Sequence, residues 1–361
     1  LADPMQMGLG LVSIGEVNIH GQEKQSHLQL SQQASKGDNT LSLENIPVGW
    51  QVGDSIVLTG TKYNPDWIDQ KNLDQSQDEK LVIKAIDDNT ITLDQPLQYD
   101  HHTPRADLSP YVANLSRNIV LRSAVTDDIS QRGHVMLMHN DNVDIRYAQF
   151  TGLGRTDKSQ DVGSSDNING RYALHLHRQG VKLDSNPAMV VGNSVEDSPG
   201  WGYVHHSSYA VMDYNVAYNV FGGAFVAESG VDTGRWEINF AIKGSGIGTK
   251  GGNGHPKDAH NTFNAANNGT GFYFQGRLVH NQDNIAASMP GYGFLYFHRP
   301  TKNSVDWVDS STIENPQTAR FKDHETQKGI SIDAPSIQGF KSNEAFAAGT
   351  GLAVIKNSSE Q

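Results

Sequence analysis

Val190-Val191-Gly192-Asn193-Ser194-Val195 is answered 22 residues later by Met212-Asp213-Tyr214-Asn215-Val216-Ala217. At the same interval Gly200 maps to Gly222, Tyr203 to Phe225 and Val204 to Val226. Related units recur at residues 142–150, 237–242 and 283–287. A period of this size, built from short strands, glycine turns and recurrent asparagine, predicts a right-handed parallel β-helix with one period per coil. The regular leucine spacing of a leucine-rich-repeat horseshoe is missing, which excludes that rival. Most of the asparagines are then expected to be structural, stacked at the corners between coils.

Outward from this repeat the chain stays β-rich. Residues 10–14, 54–59, 80–86 and 90–93 read as short strands, with Asp87-Asp88-Asn89 as a hairpin turn. The stretch from Tyr63 to Glu79, rich in Asp, Gln and Asn, reads as a loop. Gly at 36 residues, with only 19% charged residues and no helical periodicity, supports an all-β fold with many turns. The expected organisation is an N-terminal β-rich segment with the first coils over 1–116, a parallel β-helix carrying the site over 117–300, and C-terminal coils or tail over 301–361.

With no cysteine in 361 residues, disulfides and thiolate metal sites are excluded, and any metal must sit on His, Asp, Glu, Asn or water. No apolar run is long enough to span a membrane. The chain begins at Leu1, so removal of a signal peptide or upstream segment is expected. A net charge of −12 disfavours nucleic acid as a partner. The segment 171–257 nevertheless balances seven basic against seven acidic residues, before its five histidines are counted, so a groove there can admit an anionic sugar polymer.

Candidate chemistry concentrates in that segment. His175 and His177 stand two apart, so on a strand both imidazoles leave from one face. Stacked coils bring equivalent residues about 4.8 Å apart, and the 22-residue interval sets His206 over Glu228. Two mechanisms fit such a face. In one, His175, His177 and either a further histidine (His205 or His206) or Glu228 hold a divalent metal, zinc-class or calcium, with an open position. In the other, a lyase, a cation neutralises a uronate carboxylate while Tyr203, Lys243 or a free histidine removes the adjacent proton. A glycosidase needs paired carboxyl groups, and Glu228 with Asp232 or Asp197 is not singled out by spacing. Arg171, Tyr172, Trp201 and Arg235 are candidate substrate contacts, with Tyr203, Tyr209 and Trp236 as further aromatic platforms or core residues. Gly244 to Gly252 lacks the order of a phosphate loop and reads as a flexible loop beside the groove, with His255 and His260 just beyond it.

The chain resembles the family of the cell-migration-inducing hyaluronan-binding protein and the transmembrane hyaluronidase, with its bacterial relatives. Those proteins join an eight-glycine domain to a parallel β-helix. The likeness spans about residues 3 to 297, through Asp3-Pro4, Gly8-Leu9-Gly10, Ile19-His20-Gly21 and Trp50-Gln51-Val52-Gly53-Asp54. It continues through Leu115-Ser116-Arg117-Asn118-Ile119, Arg171-Tyr172, His175-Leu176-His177 and Tyr203-Val204-His205. Asn215-Val216-Ala217-Tyr218-Asn219, Phe225-Val226-Ala227-Glu228, Asn239 and Gly291-Tyr292-Gly293-Phe294 complete it. The resemblance implies a secreted, periplasmic or cell-surface protein that depolymerises hyaluronan or another acidic polysaccharide, as hydrolase or lyase, with a divalent cation. It also makes His205 the recurring histidine, ahead of His206, and Glu228 the recurring glutamate. Two positions depart from the family pattern: Gly223 stands where a histidine is expected, and Ser229 where an aspartate is. These losses leave open a non-catalytic glycan-binding or adhesion module. A third reading is a β-helix metalloenzyme acting on an unrelated polymer or small molecule.

Overall fold

Local alternation of side chains sets the architecture. In Val143–Arg146, Val143 and Ile145 are buried while Asp144 and Arg146 are half-exposed, the period-two signature of a strand covering a core. A computed structural model describes residues 3–64, 76–140, 142–160, 162–246, 265–298, 307–308, 325–326, 329–332 and 334–356. It shows an all-β chain, a right-handed parallel β-helix with an N-terminal β-rich sheet.

Among the described residues the strands stack in three parallel columns. The first holds Leu11–Ser13, Val135–Met138, Leu174–Gly180, the start of Tyr203–Asp213, Gly223–Ala227, Thr270–Phe274 and the end of Ile285–His298. The second holds Val17–His20, Val143–Arg146, Ala188–Val191, the end of Tyr203–Asp213, Thr233–Glu237 and Val279–Gln282. The third runs from Ile119–Arg122 through Ala148–Thr151, Ser194–Ser198, Val216–Phe221 and Phe240–Ser245 to the start of Ile285–His298, on which Glu344–Lys356 is stacked. Inside, Tyr203, Phe225, Phe272 and Phe294 form a stacked column with ring centroids 4.7, 4.8 and 4.9 Å apart.

The corner between the second and third columns explains the asparagines. Gly192, Tyr214, Ile238, Asp283 and Ser342 all take left-handed φ of 51–68°, and each is followed by an asparagine. Asn193 Nδ2 donates to Asn215 Oδ1 (3.1 Å), Asn215 Nδ2 to Asn239 Oδ1 (2.9 Å) and Asn239 Nδ2 to Asn284 Oδ1 (2.9 Å). The same amides also donate to backbone carbonyls of the preceding coil, such as Val190 O at 2.7 Å from Asn215. Asn193 and Asn215 therefore occupy equivalent corners, as the repeat predicts.

Coils of the β-helix lie on both sides of residues 117–300. Leu11–Ser13 and Val17–His20 already belong to its first coil. The chain then leaves to build a six-stranded antiparallel sheet from His27–Gln29 to Tyr111–Asn114, and returns at Ile119–Arg122 to finish that coil. The sheet docks on the third column: Val57, Tyr111, Ala113 and Leu115 pack with Val216, Tyr218, Phe240 and Ile242. Lys80 pairs with the buried Glu196 across this junction. Within the sheet, Asp88 at φ 50° turns the expected hairpin. Residues 65–75 of the expected loop, residues 247–264 of the glycine-rich loop with His255 and His260, and much of the 301–361 tail lie outside the described residues. No helix among the described residues is long and apolar enough to cross a membrane.

Candidate metal centre

The outer face of the first column carries the site. Met136, His175 and Val204 are successive partners on one ladder, and Met138, His177 and His206 on the next. Strand parity sends His175 and His177 outward, while Leu174 and Leu176 enter the core. The register also runs Tyr203 to Phe225 and Val204 to Val226, so the 22-residue interval holds and His206 stands over Glu228. His206 Nδ1 lies 3.3 Å from Glu228 Oε2, a charge-pairing distance at which that buried oxygen has no aligned hydrogen-bond donor.

The ligand nitrogens of His175, His177 and His206 lie within 4.8 Å of one another. His175 Nδ1 faces the Gly170 carbonyl at 2.9 Å, which can only accept, so Nδ1 carries the proton and the Nε2 lone pair points into the cluster. That Nε2 is 3.3 Å from His177 Nδ1. Two nitrogens at about 2.0–2.1 Å from a tetrahedral ion stand about 3.3–3.4 Å apart. The His175–His177 pair meets that spacing, and the donors are imidazole, with a carbonyl behind one ring and a carboxylate beside another, the chemistry that a zinc-class cation takes. Burial pushes His175 down to about 3 and His177 down to about 4, so both are neutral, as ligation requires. Burial also pulls His206 down, but Glu228 outweighs it and the pKa is raised. Burial would raise Glu228, yet His206, His175 and Lys158 together bring it down to about 2.

Other expected residues lie elsewhere. His205 pairs with Leu176 and Ala227, both core residues, so it points inward and cannot share a cation with its neighbour. Its Nε2 meets Ser208 O at 2.6 Å and lies 4.0 Å from buried Asp232. The preference for His205 over His206 is thus corrected by strand parity. Tyr203 is fully buried, its hydroxyl donating to Val216 O at 3.1 Å. Lys243 sits on the third column, 5.9 Å over the Tyr218 ring. Arg171 is a buried tether that donates to Met5 O at 2.6 Å and Asn169 O at 3.0 Å. Arg235 lies on the second column, 2.7 Å from Asp213.

Tyr172 and Trp201 flank the histidines from a buried layer. Their rings stack at 5.1 Å, and Tyr172 lies 5.2 Å from the His175 ring. Lys158 Nζ sits 3.8 Å over Trp201; nothing in its loop sequence marks it for this place. Arg178 follows His177 at an exposed left-handed corner (φ 55°). The departures from the family pattern have physical counterparts. A Cβ on Gly223 would lie 2.4 Å from Val226 Cγ2, so an added side chain has no room without a shift. Ser229 Oγ instead accepts from Ser207 N (3.0 Å) of the preceding coil.

By sequence the chain is similar to eight-glycine (G8) domain-containing proteins. A G8 domain-containing protein of Dictyostelium discoideum is 30% identical over 230 residues, 62% of this chain and 14% of the relative. Communication mutant protein F of the same organism is 29% identical over 231 residues, 62% of this chain and 18% of the relative. Fibrocystin-L of Mus musculus is 24% identical over 259 residues, 59% and 6% respectively. The chain is similar to G8 domain-containing proteins and to fibrocystin-L, and spans under a fifth of the length of each of these three. No family model matches. Among solved structures, the Gp54 tailspike of Acinetobacter baumannii bacteriophage AP22, determined with a capsular saccharide, covers 79% of this chain and 55% of its own, at 8% identity and TM-score 0.22. The fold rests on the strand pairings above.

Proposed function

We propose that this chain is an exported, metal-assisted enzyme that depolymerises an acidic polysaccharide. His175, His177 and His206 hold a zinc-class cation, and Glu228 backs His206. The observation that carries this reading is the convergence of those three imidazoles on one outward face. A bound cation of this class supplies Lewis-acid polarisation of a sugar oxygen and a more acidic water. The chain's own residues do the rest. Gly170 O fixes the His175 tautomer, and Glu228 orients His206 and supplies negative charge beside it. The buried Tyr172 and Trp201 layer excludes water from one side, while exposed Arg178 offers a guanidinium to a uronate carboxylate. Tyr203 and Lys243, two of the three expected proton acceptors of an elimination, lie away from the cluster, which favours hydrolysis over elimination through either of them. Asp232 faces His205 inside the coil and cannot pair with Glu228 as a second glycosidase carboxyl.

The test combines metal analysis with product analysis. Mildly purified protein should carry about one zinc-class ion per chain, and the His177→Ala/His206→Ala variant should lose it. Incubation with a panel of uronate polymers should release reducing ends without the absorbance of unsaturated uronate. Equal metal content in both proteins rejects the centre. Retained metal and polymer binding without any product establishes the other reading, a glycan-binding module, which the departures at Gly223 and Ser229 favour.

A further inference from the structure

The second column presents a different surface. Tyr209, Val211 and Asp213 leave its outer face in one coil, Arg235 and Glu237 in the next, and His280 in the one after, following the register Val211 to Arg235 to His280. Leu183 and Leu278 close a cavity of about 240 Å³ over this face. At ~30 Å³ per water this is room for about eight waters, the size class of one sugar ring. Gly234 also lines it, at φ 115°, where a Cβ would lie 1.9 Å from Ala210 O of the neighbouring coil.

Its charges are already arranged. The Arg235 guanidinium is held 2.7 Å from Asp213 and 3.6 Å from Glu237. One cation against two carboxylates leaves the group net negative, anchored at the buried Asp213. Such a set offers paired hydrogen bonds to vicinal hydroxyls and repels another carboxylate. The Tyr209 ring and the two leucines supply the apolar surface that a pyranose needs against its C–H face.

We infer that this cavity is a second carbohydrate site, on a different column from the histidines, that takes one neutral pyranose and rejects a uronate. It stands independently of the proposed metal centre. The structure thus assigns Arg235 to binding a neutral sugar, through a guanidinium whose carboxylate partners direct it to hydroxyls.

Protein-detected NMR titration of the full chain with methyl glucopyranoside and with methyl glucopyranosiduronate tests this, since the probes differ only at the sugar's carboxylate. Expected is saturable binding of the neutral glycoside with Kd of about 1 mM, and at least about tenfold weaker binding of the uronide. Tyr209→Ala and Arg235→Gln should each abolish the neutral response while retaining the melting temperature. His177→Ala should leave it intact. Absence of saturable binding by wild type, a uronide preference, or unchanged binding in Tyr209→Ala overturns the assignment. If Arg235→Gln alone unfolds, the Tyr209→Ala result decides.

Discussion

Two adjacent histidines divide the work of the site. His206 faces the cluster and His205 faces the core, because neighbouring residues on a strand point to opposite sides. His206→Ala should therefore remove a ligand and lower metal content with a small change in stability. His205→Ala should retain the metal but destabilise by about 2–4 kcal/mol, since it empties a packed position and removes the side-chain partner of Ser208 O. Paired metal analysis and urea melts check this; metal loss in the His205 variant alone would reverse the assignment. Glu228→Gln keeps the shape beside His206 and removes the charge. A weakened partner to a ligating histidine costs about 10–100-fold in metal affinity or activity, so a chelator titration should show that loss while the melting temperature barely moves. An earlier melt with unchanged affinity would make Glu228 a coil residue. The sequence holds all these side chains within one segment, and two registers compete for them. The inward ladder of Leu176, His205 and Ala227 decides between them.

At the scale of elements, the repeat is legible because its signals are local. Burial alternates along the strands, and a left-handed residue followed by an asparagine recurs between the second and third columns, so residues 190–217 suffice to read the coil. The detour from the first coil into the antiparallel sheet leaves no periodic trace, since Leu11–Ser13 and Ile119–Arg122 are joined only by pairing with later strands. The placement of Arg235 was hidden for a related reason: it depends on which column a strand joins, while sequence distance to the histidines reports only proximity along the chain. Comparisons among coils also locate asparagines whose amides are fully engaged, Asn215 among them. Asn215 donates to Val190 O and Asn239 Oδ1, and accepts from Asn193 N and Asn193 Nδ2. Asn215→Ala strips partners from a buried backbone N–H and carbonyl, each costing about 1–3 kcal/mol. A loss of about 3–5 kcal/mol is expected in denaturant titration, large among single substitutions. A loss under about 1 kcal/mol would show that the ladder contributes little.

For the whole molecule, the decisive joint is where the antiparallel sheet rests on the third column. His27 lies there, its ring 5.1 Å from Phe240 of the β-helix and 5.9 Å from Tyr111 of the sheet, with Ser26 Oγ 2.9 Å from Nδ1. Burial lowers its pKa from 6.5 to about 4, so the fold accepts only the neutral ring until the solution is well acidic. In the unfolded chain the same group takes a proton near pH 6.5. Its neutral-state stability is therefore complete above about pH 6.5 and is lost as pH falls toward 4, because the unfolded state binds the proton first. At about pH 4.5 the difference amounts to about 2–3 kcal/mol. His134 adds a loss of the same sign: burial takes it down to about 4, and neither of its ring nitrogens has a hydrogen-bond partner. Urea midpoints measured between about pH 7.5 and 4.5 should fall for the wild type, and His27→Leu should flatten part of that slope while keeping the apolar junction filled. If proteolysis of the acidified protein releases the 26–114 sheet first, the joint is the weak point. An identical slope in the His27→Leu variant would remove His27 from the account and leave the acid response to His134 and the other buried groups.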